Sequence, residues 1–175
     1  KEHLEAINHK KAIDYLEGVV KNGKITEDLI KKIHGIILKE IDDKNAEKYR
    51  ETQVYISGSK YIPPDAQSVP ILMGNFVKDL NNRLKSKEHP VITASDAHYE
   101  IARIHPFIDG NGRLARLIMN LILMRAGYPP AIIQFSQREG YIKSLEKANF
   151  GDKEDFYILI AEACEVSIIK YIKAV

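Results

Sequence analysis

His105-Pro-Phe-Ile-Asp-Gly-Asn-Gly-Arg-Leu-Ala-Arg116 is the stretch on which the reading of this chain turns. Each residue type in it answers a need of phosphate chemistry. His105 can take a proton near neutral pH. Asp109 offers hard carboxylate oxygens of the kind that magnesium prefers. Gly110, Asn111 and Gly112 let backbone N–H groups approach an anion closely. Arg113 and Arg116 carry planar guanidinium forks that match phosphate oxygens. Singly, a His-Pro is usually a loop end, a Gly-Asn-Gly a turn, and a pair of arginines a solvated surface. It is their order and frame that point to chemistry.

Working outward, the segment 96–104 shows apolar Ala97, Ile101 and Ile104 near a helical period, with Thr93 as an expected N-cap. Pro106 should stop that helix at or near His105, since a residue before proline avoids the helical region. Downstream, Leu114, Leu117, Ile118, Leu121 and Ile122 form an apolar stripe that Gly127, Pro129 and Pro130 terminate. Gly-Asn-Gly should therefore open the N-terminus of a buried helix, where unpaired N–H groups and the positive end of the dipole favour an anion. Arg113, Arg116 and Asn120 should share one polar face of it.

The rest of the chain reads as helical. Periodic segments span 4–20, 25–41, 69–84, 136–149 and 153–172, with breaks at Asn22-Gly23 and Gly151-Asp152. Residues 52–62, with Val54, Tyr55 and Ile56 before Ser57-Gly58-Ser59 and Tyr61-Ile62 after it, are the exception and predict a short β-hairpin. The fold class expected is all-α with one β-hairpin, a single domain over residues 1–175. The 175 residues are 45% hydrophobic and 29% charged, the balance of a globular domain able to bury a sizeable core. A net charge of +2 supplies no basic field, so nucleic acid is not indicated. Lys10-Lys11 and Lys31-Lys32 read as solvated helix faces. No apolar run is long enough for a membrane span and no signal peptide is visible, so no membrane partner is expected. The one cysteine, Cys164, cannot form an internal disulfide and suits a reducing, cytoplasmic setting.

The 105–116 run resembles the signature of the Fic family, His-x-Phe-x-Asp/Glu-Gly-Asn-Gly-Arg-x-x-Arg, and meets every fixed position. The likeness extends from about Asn8 to the last helix and includes residues 55–65 and 141–152. It implies a Fic-type helical bundle acting as a protein adenylyltransferase, with ATP as co-substrate and Mg2+ as cofactor. Glycine at 112 favours nucleotidyl over phosphate transfer, because the kinase branch has lysine there. The resemblance makes His105 the base, Asp109 the metal ligand, and Gly110, Asn111, Gly112, Arg113 and Arg116 the phosphate-binding set. It makes Phe107 a core anchor. Tyr141, Ile142 and Asn149 match the family's nucleobase pocket. The hairpin, Tyr55, Ile56, Ser57, Gly58, Ser59, Lys60 and Tyr61, matches a flap that pairs by backbone with a target protein bearing a Ser, Thr or Tyr hydroxyl. A homodimer is left open.

Two departures stand out. No Ser/Thr-x-x-x-Glu inhibitory motif occurs, and the start of the chain resembles the helix that follows such a motif, so the chain is expected to be a fragment of a longer protein. Glu47 stands where relatives usually have glycine. The rival functions are removal of AMP by hydrolysis at the same site, and a catalytically silent helical interaction module.

Overall fold

A computed structural model describes residues 1–21 and 23–174, so the Asn22 half of the expected 22–23 break lies outside the described residues. Seven α-helices carry the fold: α1 (Glu2–Val19), α2 (Glu27–Leu38), α3 (Val69–Arg83), α4 (Pro90–Ile104), α5 (Asn111–Arg125), α6 (Arg138–Asn149) and α7 (Glu154–Ala174). Short 3-10 turns precede α3 and α6. No helix among the described residues is long and apolar enough to cross a membrane.

The centre is the α4–α5 hairpin, which the 105–110 loop turns back on itself. α5 is buried on nearly every side through Leu114, Ala115, Leu117, Ile118, Met119, Leu121, Ile122 and Leu123. That burial explains why a helix of low amphipathicity is stable, since tertiary packing rather than propensity carries it. α1 and α2 pack on one side of α5, while α3, α6 and α7 pack on α4. Thr26 caps α2 by accepting the Leu29 N–H at 3.1 Å, ahead of the acidic first turn Glu27-Asp28. Phe107 and Phe156 are the largest fully buried side chains. Phe107 is thus the loop anchor that the sequence suggested.

Two expectations are corrected and a third is refined. α4 begins at Pro90, with His89 as its cap (Nδ1 accepts the Val91 N–H at 3.3 Å), and Thr93 lies inside the helix. Proline at the first helical position is favoured because its missing N–H would be unpaired there anyway. The 52–62 segment forms the turn but not the hairpin ladder. Ser59 N–H donates to Ile56 C=O at 3.1 Å across Ser57 and Gly58 (φ 79°), yet no strand exists among the described residues. The returning arm runs into Pro63-Pro64, neither of which has an N–H to donate. The arms are linked instead by Gln53, whose Nε2 donates to Pro63 C=O at 3.0 Å. Finally, Asn120 shares the α5 face of Arg116 as expected, but its amide is committed elsewhere. Its amide exchanges two hydrogen bonds with the Ala131 backbone, at 2.9 and 3.2 Å, and pins the loop after α5.

Candidate active site

The loop between α4 and α5 sets the geometry. His105 caps α4 in the left-handed conformation (φ 51°, ψ 57°), which turns the chain sharply into Pro106. Its Nδ1 lies 3.2 Å from the Ala102 carbonyl. A carbonyl can only accept, so Nδ1 carries the proton and Nε2 keeps a bare lone pair. Burial lowers the pKa of this imidazole below its usual 6.5, and the Arg50 charge acts in the same direction. A neutral imidazole with a free Nε2 is the form a general base requires.

Gly110 caps α5 at φ 83° and packs against α2, where a Cβ would meet Ile37 and His34 at 3.3–3.4 Å. Conformation and space both call for glycine. The Asn111 side chain is committed to the loop itself. It accepts the Phe107 N–H at 2.9 Å and donates to the Phe107 carbonyl at 2.8 Å, buried to 2% exposure. Asn111 therefore offers an anion its backbone, not its amide. The Gly-Asn-Gly N–H groups open the helix as anticipated.

Arg113 lies 3.5 Å from Glu5 on α1 and 3.5 Å from the Asp109 carboxylate, both too long for a good hydrogen bond. Its Nη1 is buried without a hydrogen-bond partner. A buried donor in that state costs free energy that a phosphate oxygen would recover. Arg116 stands one turn on, beside Gly112 and the Tyr141 hydroxyl. Asp109 is 46% exposed at its side chain, and one of its oxygens accepts the Gly110 N–H at 2.6 Å.

One cavity gathers most of the remaining expected residues. Its lining includes His105, Gly112, Tyr141, Ile142 and Asn149, with Ile56, Ser57, Ser59 and Tyr61 from the 52–62 segment closing the other side. The Lys60 N–H reaches Glu146 on α6 at 3.4 Å, so segment and helix touch at the rim. Tyr141 is fixed from behind, its ring edge-on to His98 and its hydroxyl 3.0 Å from His98 Nε2. Ile142 is the more exposed wall. Tyr55, 76% exposed, does not contribute to this lining. Arg116 and Gly112 continue into an adjoining cleft with Phe135 and Arg138.

Two further residues bear on the loop and were not singled out from sequence. His34, fully buried on α2, accepts the Glu47 N–H at Nδ1 (3.1 Å), so its Nε2–H donates to the Asp109 carbonyl at 3.0 Å. Its ring stacks on Phe107 with centroids 3.6 Å apart. Burial drives its pKa down to about 4, and this neutral tautomer alone satisfies both neighbours. The signal for His34 was a histidine among Ile30, Ile33 and Ile37 on an apolar helical face. Arg50 gave no such signal, since its partners are backbone carbonyls far along the chain.

Comparison with known proteins agrees with this geometry. A profile of the Fic/DOC family matches residues 24–123. The chain is 40% identical over 174 residues to the protein adenylyltransferase Fic of Drosophila ananassae, covering 99% of this chain and 35% of that protein. It is 41% identical over 175 residues to the Aedes aegypti protein of the same name, again covering 99% of this chain and 35% of the relative. The chain thus spans about a third of the length of the curated relatives it matches. Among solved structures, Fic-1 (residues 134–508) from C. elegans superposes with a TM-score of 0.90 at 36% identity, covering 99% of this chain and 52% of that one. Signature, profile and fold coincide on the same helix–loop–helix, and the chain belongs to the Fic/DOC family.

Proposed function

We propose that this domain is a protein adenylyltransferase, transferring AMP from ATP to a hydroxyl side chain of a target protein or of the chain itself. The observation that carries the reading is the shared cavity. His105, with Nε2 free of a proton, lines the same space as Tyr141, Ile142 and Asn149, and the N-terminus of α5 enters it at Gly112. A purine lodged against Tyr141 and Ile142 with its edge at Asn149 would direct its phosphates toward that helix end. The names of the insect relatives support the same activity.

In the reaction, a Ser, Thr or Tyr hydroxyl attacks the α-phosphorus, a new O–P bond forms, and the bond to the β-phosphate oxygen breaks. The hydroxyl proton passes to His105 Nε2, and pyrophosphate leaves. The protein has little covalent chemistry to perform, so positioning and charge stabilisation dominate. Backbone N–H groups of Asn111 and Gly112 hold the phosphates, Gly110 shapes the turn that presents them while its own N–H is held by Asp109, and Arg113 and Arg116 neutralise the leaving group. The segment carrying Tyr55 to Tyr61 holds the target beside His105, the N–H groups of Tyr55, Ile56 and Ser57 on its unladdered first arm being the ones an extended chain would pair with.

A divalent cation fits this donor set in one way. No cluster of three acidic, histidine or cysteine side chains exists among the described residues, and Asp109 is a single half-exposed carboxylate. One carboxylate plus phosphate oxygens and water suits Mg2+, which seldom occupies an all-protein cage. Asp109 would hold it, and the ion would supply positive charge to the leaving phosphates.

The test is incubation with ATP labelled at the α- or the γ-phosphate, with and without EDTA. Adenylyl transfer places only the α-label on protein, and only with the metal present. A γ-label on protein, or no label at all, would defeat the reading.

A further inference from the structure

Arg50 lies outside the signature, yet it is the most heavily bonded charged side chain near the site, only 2% exposed. Its Nε donates to the His105 carbonyl at 2.8 Å, and Nη2 makes a longer contact of 3.4 Å to the Ile104 carbonyl. Those are the last carbonyls of α4, where the negative end of the helix dipole favours a cation and the helix supplies no partner. The other donors reach elsewhere. Nη1 donates to Thr52 C=O at 3.0 Å and Nη2 to Pro64 C=O at 2.5 Å, one on each arm of the 52–62 turn. The Arg50 N–H itself donates to Pro106 C=O at 2.9 Å. No carboxylate pairs with the guanidinium among the described residues, and all four of its hydrogen bonds go to backbone carbonyls.

This matters because the arms have no ladder of their own. Gln53 and the Ser59–Ile56 turn bond join the arms to each other, and Arg50 ties the base of both arms to the end of α4. The His105 imidazole, in turn, takes its direction from a left-handed backbone whose carbonyl Arg50 holds. We infer that Arg50 is a positioning residue that sets the target-docking segment in register with the His105 base. An extended chain lying on residues 55–61 then presents its hydroxyl to Nε2 at the right reach. Only a planar fork with five N–H donors can serve the α4 end and both arms at once, whereas lysine carries the charge on one rotating point. The inference rests on the reading of 55–61 as the docking segment.

Arg50→Lys and Gln53→Ala separate register from simple stiffness. For each variant and the wild type, three quantities are compared: ATP affinity, self-labelling rate with α-labelled ATP, and hydrogen exchange of residues 52–64 and 105–112. Arg50→Lys should keep ATP affinity within about twofold while labelling falls about 10²-fold, the scale of a 1 Å misplacement. Exchange should rise in both 52–64 and 105–112. Gln53→Ala should raise exchange in 52–64 alone and lose far less activity. The inference is overturned if Arg50→Lys labels at the wild-type rate, if it loses ATP binding in step with labelling, or if Gln53→Ala matches it. Absence of label on the wild type would instead defeat the adenylyl reading, and the exchange pattern would still decide whether Arg50 joins the two segments.

Discussion

His105 shows how much a single backbone angle contributes to chemistry. The left-handed turn holds the imidazole against the end of α4, where the bond to the Ala102 carbonyl fixes its tautomer. Replacement by alanine should reduce label transfer by roughly 10²–10⁴-fold, the usual worth of a positioned base, with ATP affinity near normal. A His105→Ala protein labelling at the wild-type rate would end the proposed mechanism. Glu47 shows a residue-scale cost. It sits at φ 64°, where glycine is at ease and other residues are strained. The Glu47 side chain is accommodated because Gly35 beneath it has no Cβ, which would lie directly against the Glu47 carboxylate. Glu47→Gly should relieve about 1 kcal/mol of strain and raise Tm by about 2–4 °C. A lower Tm would mean that packing over Gly35 outweighs the backbone term.

Between elements, the α4 frame depends on one buried ion cluster. Asp96 on α4 receives Arg83 from α3 at 2.6 Å, Lys153 from the residue before α7 at 2.8 Å, and the Tyr157 hydroxyl of α7 at 2.8 Å. Burial alone would raise the Asp96 pKa, but the bonds from Lys153, Tyr157 and Arg83 hold the carboxyl below its usual value. From sequence, Asp96 looked like the third residue after a Thr93 cap, and its true partners lie up to 61 positions away. Asp96→Ala would leave Lys153 and the Tyr157 hydroxyl without their acceptor, while Arg83 keeps Glu88 at 2.8 Å, and should cost roughly 3 kcal/mol. Thermal melting should fall by about 10 °C at the slope expected for this size. Asp96→Asn, which keeps an acceptor without the charge, should fall between the two. A melting point unchanged in the alanine variant would show that the helices are held by the apolar core alone.

Over the whole molecule, buried neutral histidines set the response to acid. Burial lowers His34 to about 4 and His98 to about 3, against an ordinary 6.5. Below 6.5 the unfolded chain takes up protons that the folded one refuses, so stability is full above 6.5 and drains away as pH falls toward 4 and then 3. At about 1.4 kcal/mol per unit, His34 alone should account for about 3 kcal/mol by pH 4. The Asp96 contribution has a different window, since its lowered pKa withdraws stability only below its ordinary 3.8. Urea unfolding at pH 7.5 and 4.5 checks this, with His34→Gln expected to remove about half of the difference, because His98 keeps its own share, and Asp96→Asn to leave it unchanged. Equal stability at the two pH values would contradict the buried neutral state. The sequence by itself determined the helices, the stop at Pro106, the glycine-opened α5 and the identity of the signature residues. These are local matters of periodicity, φ preference and side-chain chemistry, legible within a dozen residues. The tertiary structure decided what depends on distant partners. It replaced the hairpin ladder with side-chain ties, turned Asn120 and the Asn111 amide to bracing, and drew Asp96 into an ion cluster. It also set His34 and Arg50 behind the loop, because hydrogen bonds to remote backbone carbonyls leave no pattern in the order of residues.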